Sequence, residues 1–250
     1  MLPILQIGPL ALRTGDLLLL IGIFLGLSLA ERRARNWGVK ADHLYNLTFL
    51  AMIVGILGAR LSFAAQNFSL FRESPLNLFS LDAKLLDPFS GIAFASIAML
   101  VYGQRKKLAF WPTLDAFTPA LAVFAVLIGL SHLASGKAFG APTTLPWGID
   151  LWGATRHPSQ VYETIAALVI LAFLWRYFSG QAASGRTFLL FIVMSAGTRL
   201  LLETWRGDNL LTFYGLRLAQ VIAWVVMAIG IFLLERQGLA GKPVESIEHG

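Results

Sequence analysis

The chain has 250 residues, 56% of them hydrophobic and only 14% charged, with a formal net charge of +6 and no cysteine. A soluble domain carries about 25% charged residues, so most of this surface is not built for water. A soluble globular enzyme, a disordered regulator and a disulfide-stapled secreted domain are excluded. The basic residues form short clusters between apolar stretches, with no basic helical face and no RNP-like motif, which points to membrane orientation rather than nucleic-acid binding.

In chain order, the amino-terminus lacks a basic n-region and a small-residue cleavage site, so no removable signal peptide is expected. Seven apolar stretches follow, at about 10–30, 44–65, 88–102, 116–134, 159–178, 187–205 and 215–234. Each approaches the length needed to cross ~30 Å of hydrocarbon. They predict an all-α, polytopic integral membrane protein with a single transmembrane domain over residues 1–250. The connection after the first span holds Arg32, Arg33, Arg35 and Lys40, and the one after the third holds Arg105, Lys106 and Lys107. Arg176 and Arg186 flank the connection after the fifth, and Arg236 and Lys242 follow the seventh. Short basic connections face the cytoplasm, which predicts the amino-terminus outside and the carboxy-terminus inside. The alternate connections, about 66–87 and 135–158, are longer, sparser in positive charge and rich in Pro, Gly, Phe and Trp, as expected of re-entrant or interfacial outer segments.

Charge at membrane depth costs at least ~2.5 kcal/mol and marks function. Arg199, Glu203 and Arg206 are spaced to share one helical face. They are either a structural ion pair tying spans together or an anionic head-group contact in which residual positive charge holds a phosphate. Arg60, in Gly58-Ala59-Arg60, either points into the bundle past small residues or snorkels to the outer interface. Arg156, His157 and Glu163 gather a cation, an imidazole and a carboxylate where the fifth span begins, with Pro158 in its first turn. His157 is either a general base or a cap. No metal site and no cofactor is expected.

The order of these pieces resembles the prolipoprotein diacylglyceryl transferase family over nearly the whole chain. The residues that carry the resemblance are Ile7-Gly8-Pro9-Leu10-Ala11-Leu12, Glu31-Arg32-Arg33-Ala34, Gly58-Ala59-Arg60, Asp115-Ala116-Phe117-Thr118-Pro119, Leu145-Pro146-Trp147-Gly148, Arg156-His157-Pro158-Ser159-Gln160-Val161-Tyr162-Glu163, Arg199-Leu200-Leu201-Leu202-Glu203-Thr204-Trp205-Arg206 and Gln220. The resemblance implies seven spans in the bacterial inner membrane. It also implies transfer of diacylglyceryl from phosphatidylglycerol onto a lipobox cysteine, with Gly140, Arg156, Glu163 and Glu203 at substrate-binding positions; by their chemistry, Arg60, Lys137, Arg199 and Arg206 can cradle the departing phosphate and His132 or His157 can take the thiol proton.

The family's signature, Gly-Arg-x-Gly-Asn-x-x-Asn-x-Glu-x-x-Gly, is altered here. Gly129 stands for the arginine, His132 and Ser135 for the asparagines and Lys137 for the glutamate, while Gly140 is kept. Phe89-Ser90-Gly91 replaces a His/Tyr-Gly-Gly, and Gly15-Asp16 an early Tyr-Gly. Two readings follow: a divergent lipid transferase acting on a phosphatidylglycerol-like phospholipid and a lipobox peptide, or a non-catalytic member that binds phospholipid as an accessory subunit of a larger membrane complex. A transporter fits less well, since no internal repeat is found and few charges lie within the spans.

Overall fold

The computed structural model describes residues 4–7, 10–80, 82–179, 184–208 and 217–240. Gly8 and Pro9 of the amino-terminal motif, Gly215 at the expected start of the last span and Lys242 in the tail lie outside the described residues. A hairpin of β1 (Ile4–Ile7) and β2 (Leu10–Arg13) leads into α1 (Thr14–Ala34), so the first helix starts later than expected. Then come α2 (Ala41–Gln66), α3 (Phe68–Glu73), α4 (Pro88–Arg105), α5 (Phe110–Ser135), a second hairpin of β3 (Ile149–Leu151) and β4 (Ala154–Arg156), α6 (Ser159–Leu174), α7 (Arg186–Leu202) and α8 (Leu218–Ala240).

The architecture is helical, as the apolar stretches dictate. Among the described residues, six helices are long and apolar enough to cross a membrane: α1, α2, α5, α6, α7 and α8. The expected third span is a helix, α4, of 18 residues, but its last turn runs into Gln104-Arg105-Lys106-Lys107, which dilutes its apolar character. The segments expected to be re-entrant or interfacial hold the short helix α3 followed by two 3-10 turns, and the β3–β4 hairpin. Trp152-Gly153, both at positive φ, form the two-residue turn of that hairpin, the geometry that matches strand twist.

Packing follows membrane logic. Large apolar residues such as Phe24, Phe49, Ile92 and Trp224 face outward, and helices meet through small residues that let backbones approach. On α1, a Cβ at Gly26 would lie 2.8 Å from the Ala120 carbonyl of α5, and one at Gly15 would lie 3.0 Å from Ser131 Oγ. On α2, Gly55 and Gly58 admit Gly91, Phe94 and Ala95 of α4. α5 begins six residues earlier than expected, which puts Pro119 inside the helix rather than at its start. The fully buried Asp115 accepts hydrogen bonds from the backbone N–H groups of Phe188 (2.9 Å) and Gly185, joining α5 to the start of α7.

These contacts sort the helix termini into two ends. At one end, Asn36 donates to the Phe178 carbonyl, Arg33 lies over Trp175, and Tyr102 meets His43 and Asn46. There the basic clusters of residues 32–40 and 105–107 and the start of α7 come together. At the other end lie the start of α1, the end of α5, the start of α6, the end of α7 and the start of α8, with Gln220 donating to the Leu200 carbonyl.

Candidate active site

At this second end a cavity opens between α5, α6 and α7. Glu163 and Ser159 of α6, Ser195, Thr198 and Arg199 of α7 and, just beyond it, Arg206 supply its polar wall, and Ile128, Ala167 and Phe191 are among the apolar residues that complete it. The wall of α7 includes a stripe at i, i+3, i+4 and i+7 (Ser195, Thr198, Arg199, Leu202), so three polar residues and a leucine share a face of the helix. The sequence reading missed Ser195 and Thr198, although this spacing from Arg199 was visible.

Arg199 Nε lies 3.0 Å from Glu203 Oε2, and Arg206 Nε lies 3.9 Å from the same oxygen. Glu203 is 2% exposed and so faces the interior, whereas the Arg199 side chain keeps 38% of its area open. The three do not share a continuous helix, however. α7 ends at Leu202, Glu203–Trp205 form a 3-10 turn, and Arg206 is extended. Arg206 also forks onto Asp208 with contacts of 3.0 and 2.8 Å, so its charge is more compensated than the spacing alone suggested. Arg217, just before α8, donates to the Glu203 carbonyl, a contact that the sequence reading did not anticipate.

Across the cavity, Glu163 bonds to His132. His132 Nδ1 and Glu163 Oε2 are 2.9 Å apart, with the side chains 28% and 26% exposed. The pairing depends on how α5 meets α6. Gly129, one turn before His132, lies against Thr164, the neighbour of Glu163. A Cβ at 129 would fall 2.4 Å from Thr164 Oγ1 and 3.0 Å from the Thr164 Cα and N atoms. No side chain fits there at this helix separation, so position 129 contributes backbone only.

The other candidates are distributed around this centre. Gly140 is clamped by backbone: a Cβ there would meet the His157 carbonyl at 2.2 Å, and Gly140 is bridged to Arg206. Arg156 donates to the carbonyls of Leu151 (3.0 Å) and Gly140 (3.3 Å) and stacks over Phe139, so it braces the loop that carries Gly140. His157 does not reach Glu163. Its ring sits 6.3 Å from Tyr162 and 6.5 Å from Trp205, and its buried Nδ1 has no hydrogen-bond partner among the described residues. The Lys137 side chain is exposed, while its carbonyl accepts from Gln160, and Ser159 Oγ bonds the Ala138 carbonyl (2.6 Å). These bonds fix the start of α6 against the end of α5.

Arg60 does not join the cluster beside Arg199. It is 8% exposed and donates to the carbonyls of Asn77, Ser80 and Asp82, holding the segment between α3 and α4 against α2.

Comparison with known proteins places this geometry in context. The family model for prolipoprotein diacylglyceryl transferase matches residues 3–236. A phosphatidylglycerol–prolipoprotein diacylglyceryl transferase from Corynebacterium diphtheriae is 26% identical, covering 90% of this chain and 88% of its own length. Proteins of the same name from Photobacterium profundum (29% identical; 92% and 91% covered) and Thermus thermophilus (29%; 93% and 97%) are similar over comparable lengths. With its six apolar helices, the protein is a multi-pass protein of the bacterial inner membrane. A match over residues 3–236, the α5–α6–α7 cavity included, shows that the chain belongs to the prolipoprotein diacylglyceryl transferase family.

Proposed function

We propose that the cavity between α5, α6 and α7 transfers a diacylglyceryl group from phosphatidylglycerol to the cysteine thiol of a lipobox peptide. In this reaction the thiolate sulfur bonds to the glycerol carbon that carries the phosphate ester. The carbon–oxygen bond breaks, and the electron pair leaves with glycerol phosphate. The protein must therefore steady negative charge on a departing phosphate and relieve a thiol of its proton. Fixed cations in a site shielded from water do the first, and removing one such donor costs ~10²–10³-fold in rate. Arg199 and Arg206 are those cations, and on Arg206 the phosphate takes the place of the partly exposed Asp208 carboxylate. Apolar residues of the same wall take the acyl chains.

The single observation that carries this reading is one cavity, in a bilayer-embedded bundle, whose wall holds both arginines and Glu163, the carboxylate bonded to His132. The printed names of the relatives support the same two substrates. Neither the structure nor the comparisons supply an observation that favours the accessory-subunit reading.

The proposed orientation puts the basic end in the cytoplasm and the cavity toward the outer leaflet, with the amino-terminus outside. Supporting it, the basic connections gather at one end of the bundle. α4 then serves as the seventh crossing. Its 18 residues rise about 27 Å, and it packs antiparallel along α2 from the cavity end to the basic end.

The test is release of glycerol phosphate from phosphatidylglycerol vesicles supplied with a lipobox peptide. Wild-type protein turns over, and Arg206→Ala loses ~10²-fold in kcat. Absence of turnover in the wild type refutes the proposal.

A further inference from the structure

The transferase reading leaves open which group takes the thiol proton. We infer that His132, held by Glu163, is that general base, and that Gly129 is the residue whose small size allows the pair to form. The inference rests on the proposed transferase activity.

The geometry assigns distinct roles to the two imidazole nitrogens. Nδ1, 2.9 Å from Glu163 Oε2, carries the proton that it donates to the carboxylate. In a neutral ring this fixes the tautomer and leaves the Nε2 lone pair as the proton acceptor. Nε2 has no hydrogen-bond partner among the described residues, and about a quarter of each side chain remains open. Glu163 is then a positioning residue rather than a substrate ligand, and it stabilises the imidazolium when that forms. The thiol proton moves to Nε2, and the sulfur attacks the glycerol carbon. The carbon–oxygen bond breaks, and the proton on Nε2 passes to the departing glycerol phosphate, which restores the neutral ring.

His157 does not meet the same requirement. Its neighbours are Tyr162 and Trp205 rather than a carboxylate, and Nδ1 is buried without a partner among the described residues. The replaced residues of the family signature thus act together. Gly129 brings Thr164 into backbone contact, which seats Glu163, and His132 lies one turn further along the same face of α5.

The test is the pH dependence of kcat/KM for glycerol phosphate release, measured on the full-length protein in detergent with phosphatidylglycerol and a lipobox peptide. The charged and titratable groups on the elements around the pair are Arg199, Glu203, Arg206 and Asp208 at the α7 end, Asp16 at the start of α1, His157 and Tyr162 at the start of α6, and Lys137 after α5. Of these, only an imidazole, that of His157, belongs to a residue type that ordinarily titrates near neutrality.

The wild type shows an acid limb. His132→Gln removes the limb and lowers the rate ~10²–10⁴-fold. Glu163→Gln lowers kcat ~10–100-fold, moves the limb and leaves KM for phosphatidylglycerol within about threefold. His43→Gln, at the basic end, leaves the profile unchanged. Thermal unfolding of each variant separates loss of chemistry from loss of fold. Nitrogen chemical shifts of labelled histidine report the His132 tautomer without any turnover, and Glu163→Leu, which leaves Nδ1–H without its acceptor, changes it.

An acid limb that persists in His132→Gln overturns the base assignment while the transferase reading stands. An unchanged His132 tautomer in Glu163→Leu overturns the positioning role. No turnover in the wild type refutes the transferase reading and removes the base's task with it.

Discussion

Replacing Gly129 with alanine tests the helix contact on which the cavity depends. The added Cβ falls 2.4 Å from Thr164 Oγ1 and 3.0 Å from Thr164 Cα and N, against ordinary heavy-atom separations of about 3.5–4.0 Å. The hydroxyl can rotate, although doing so gives up its 2.8 Å bond to the Gln160 carbonyl. The two backbone contacts cannot be relieved by a rotamer change, so α6 has to move away from α5 by several tenths of an ångström. Overpacking of this kind costs about 1–3 kcal/mol, which for a chain of this size lowers Tm by about 3–10 °C.

Thr164→Ala removes the closest contact and leaves the two backbone ones. The double variant Gly129→Ala/Thr164→Ala therefore recovers part of the loss, with a coupling energy of about 0.5–1.5 kcal/mol. The assay is thermal unfolding in detergent across the four members of the cycle, with glycerol phosphate release measured on each. Because the shift also draws Glu163 away from His132, Gly129→Ala loses activity at temperatures where it remains folded. A Gly129→Ala protein with wild-type Tm and activity refutes the claim that close α5–α6 contact positions the pair.

Two further predictions test structural roles away from the cavity. Asp115→Ala leaves two buried backbone N–H groups at the start of α7 without their acceptor and costs about 2–5 kcal/mol, read as a large fall in Tm; an unchanged Tm contradicts the assignment of Asp115 as the acceptor that joins α5 to α7. Arg60→Gln withdraws a guanidinium that holds three carbonyls of the segment between α3 and α4, so limited proteolysis cuts within residues 74–82 several-fold faster while kcat changes less than in Arg206→Ala. Equal cutting rates in the two proteins overturn the bracing role.

The amino-acid sequence alone determined the solvent. With 14% charge and apolar runs of bilayer length, the chain has nowhere to bury its surface except in lipid, and helices are the way to satisfy an open backbone there. It also marked Arg199 and Glu203, because a charge within an apolar run carries a cost that something must offset. Local pattern stopped short where contacts are remote in sequence. His132 and Glu163 are 31 residues apart, and neither one's surroundings in the chain indicate the other. Gly129 looked like the loss of a side chain, yet in three dimensions it is the point where two helix backbones touch.

The family resemblance put Arg60 and Arg156 among the substrate-binding residues. Their partners are carbonyls of loops that only the fold brings near. Arg206 kept its place beside Glu203 although the helix ends before it, because a 3-10 turn carries it back to the same carboxylate. Periodicity fixes which residues share a face of one helix, whereas the chemistry here lies between three helices. That arrangement depends on how closely small residues such as Gly129 let the helices approach.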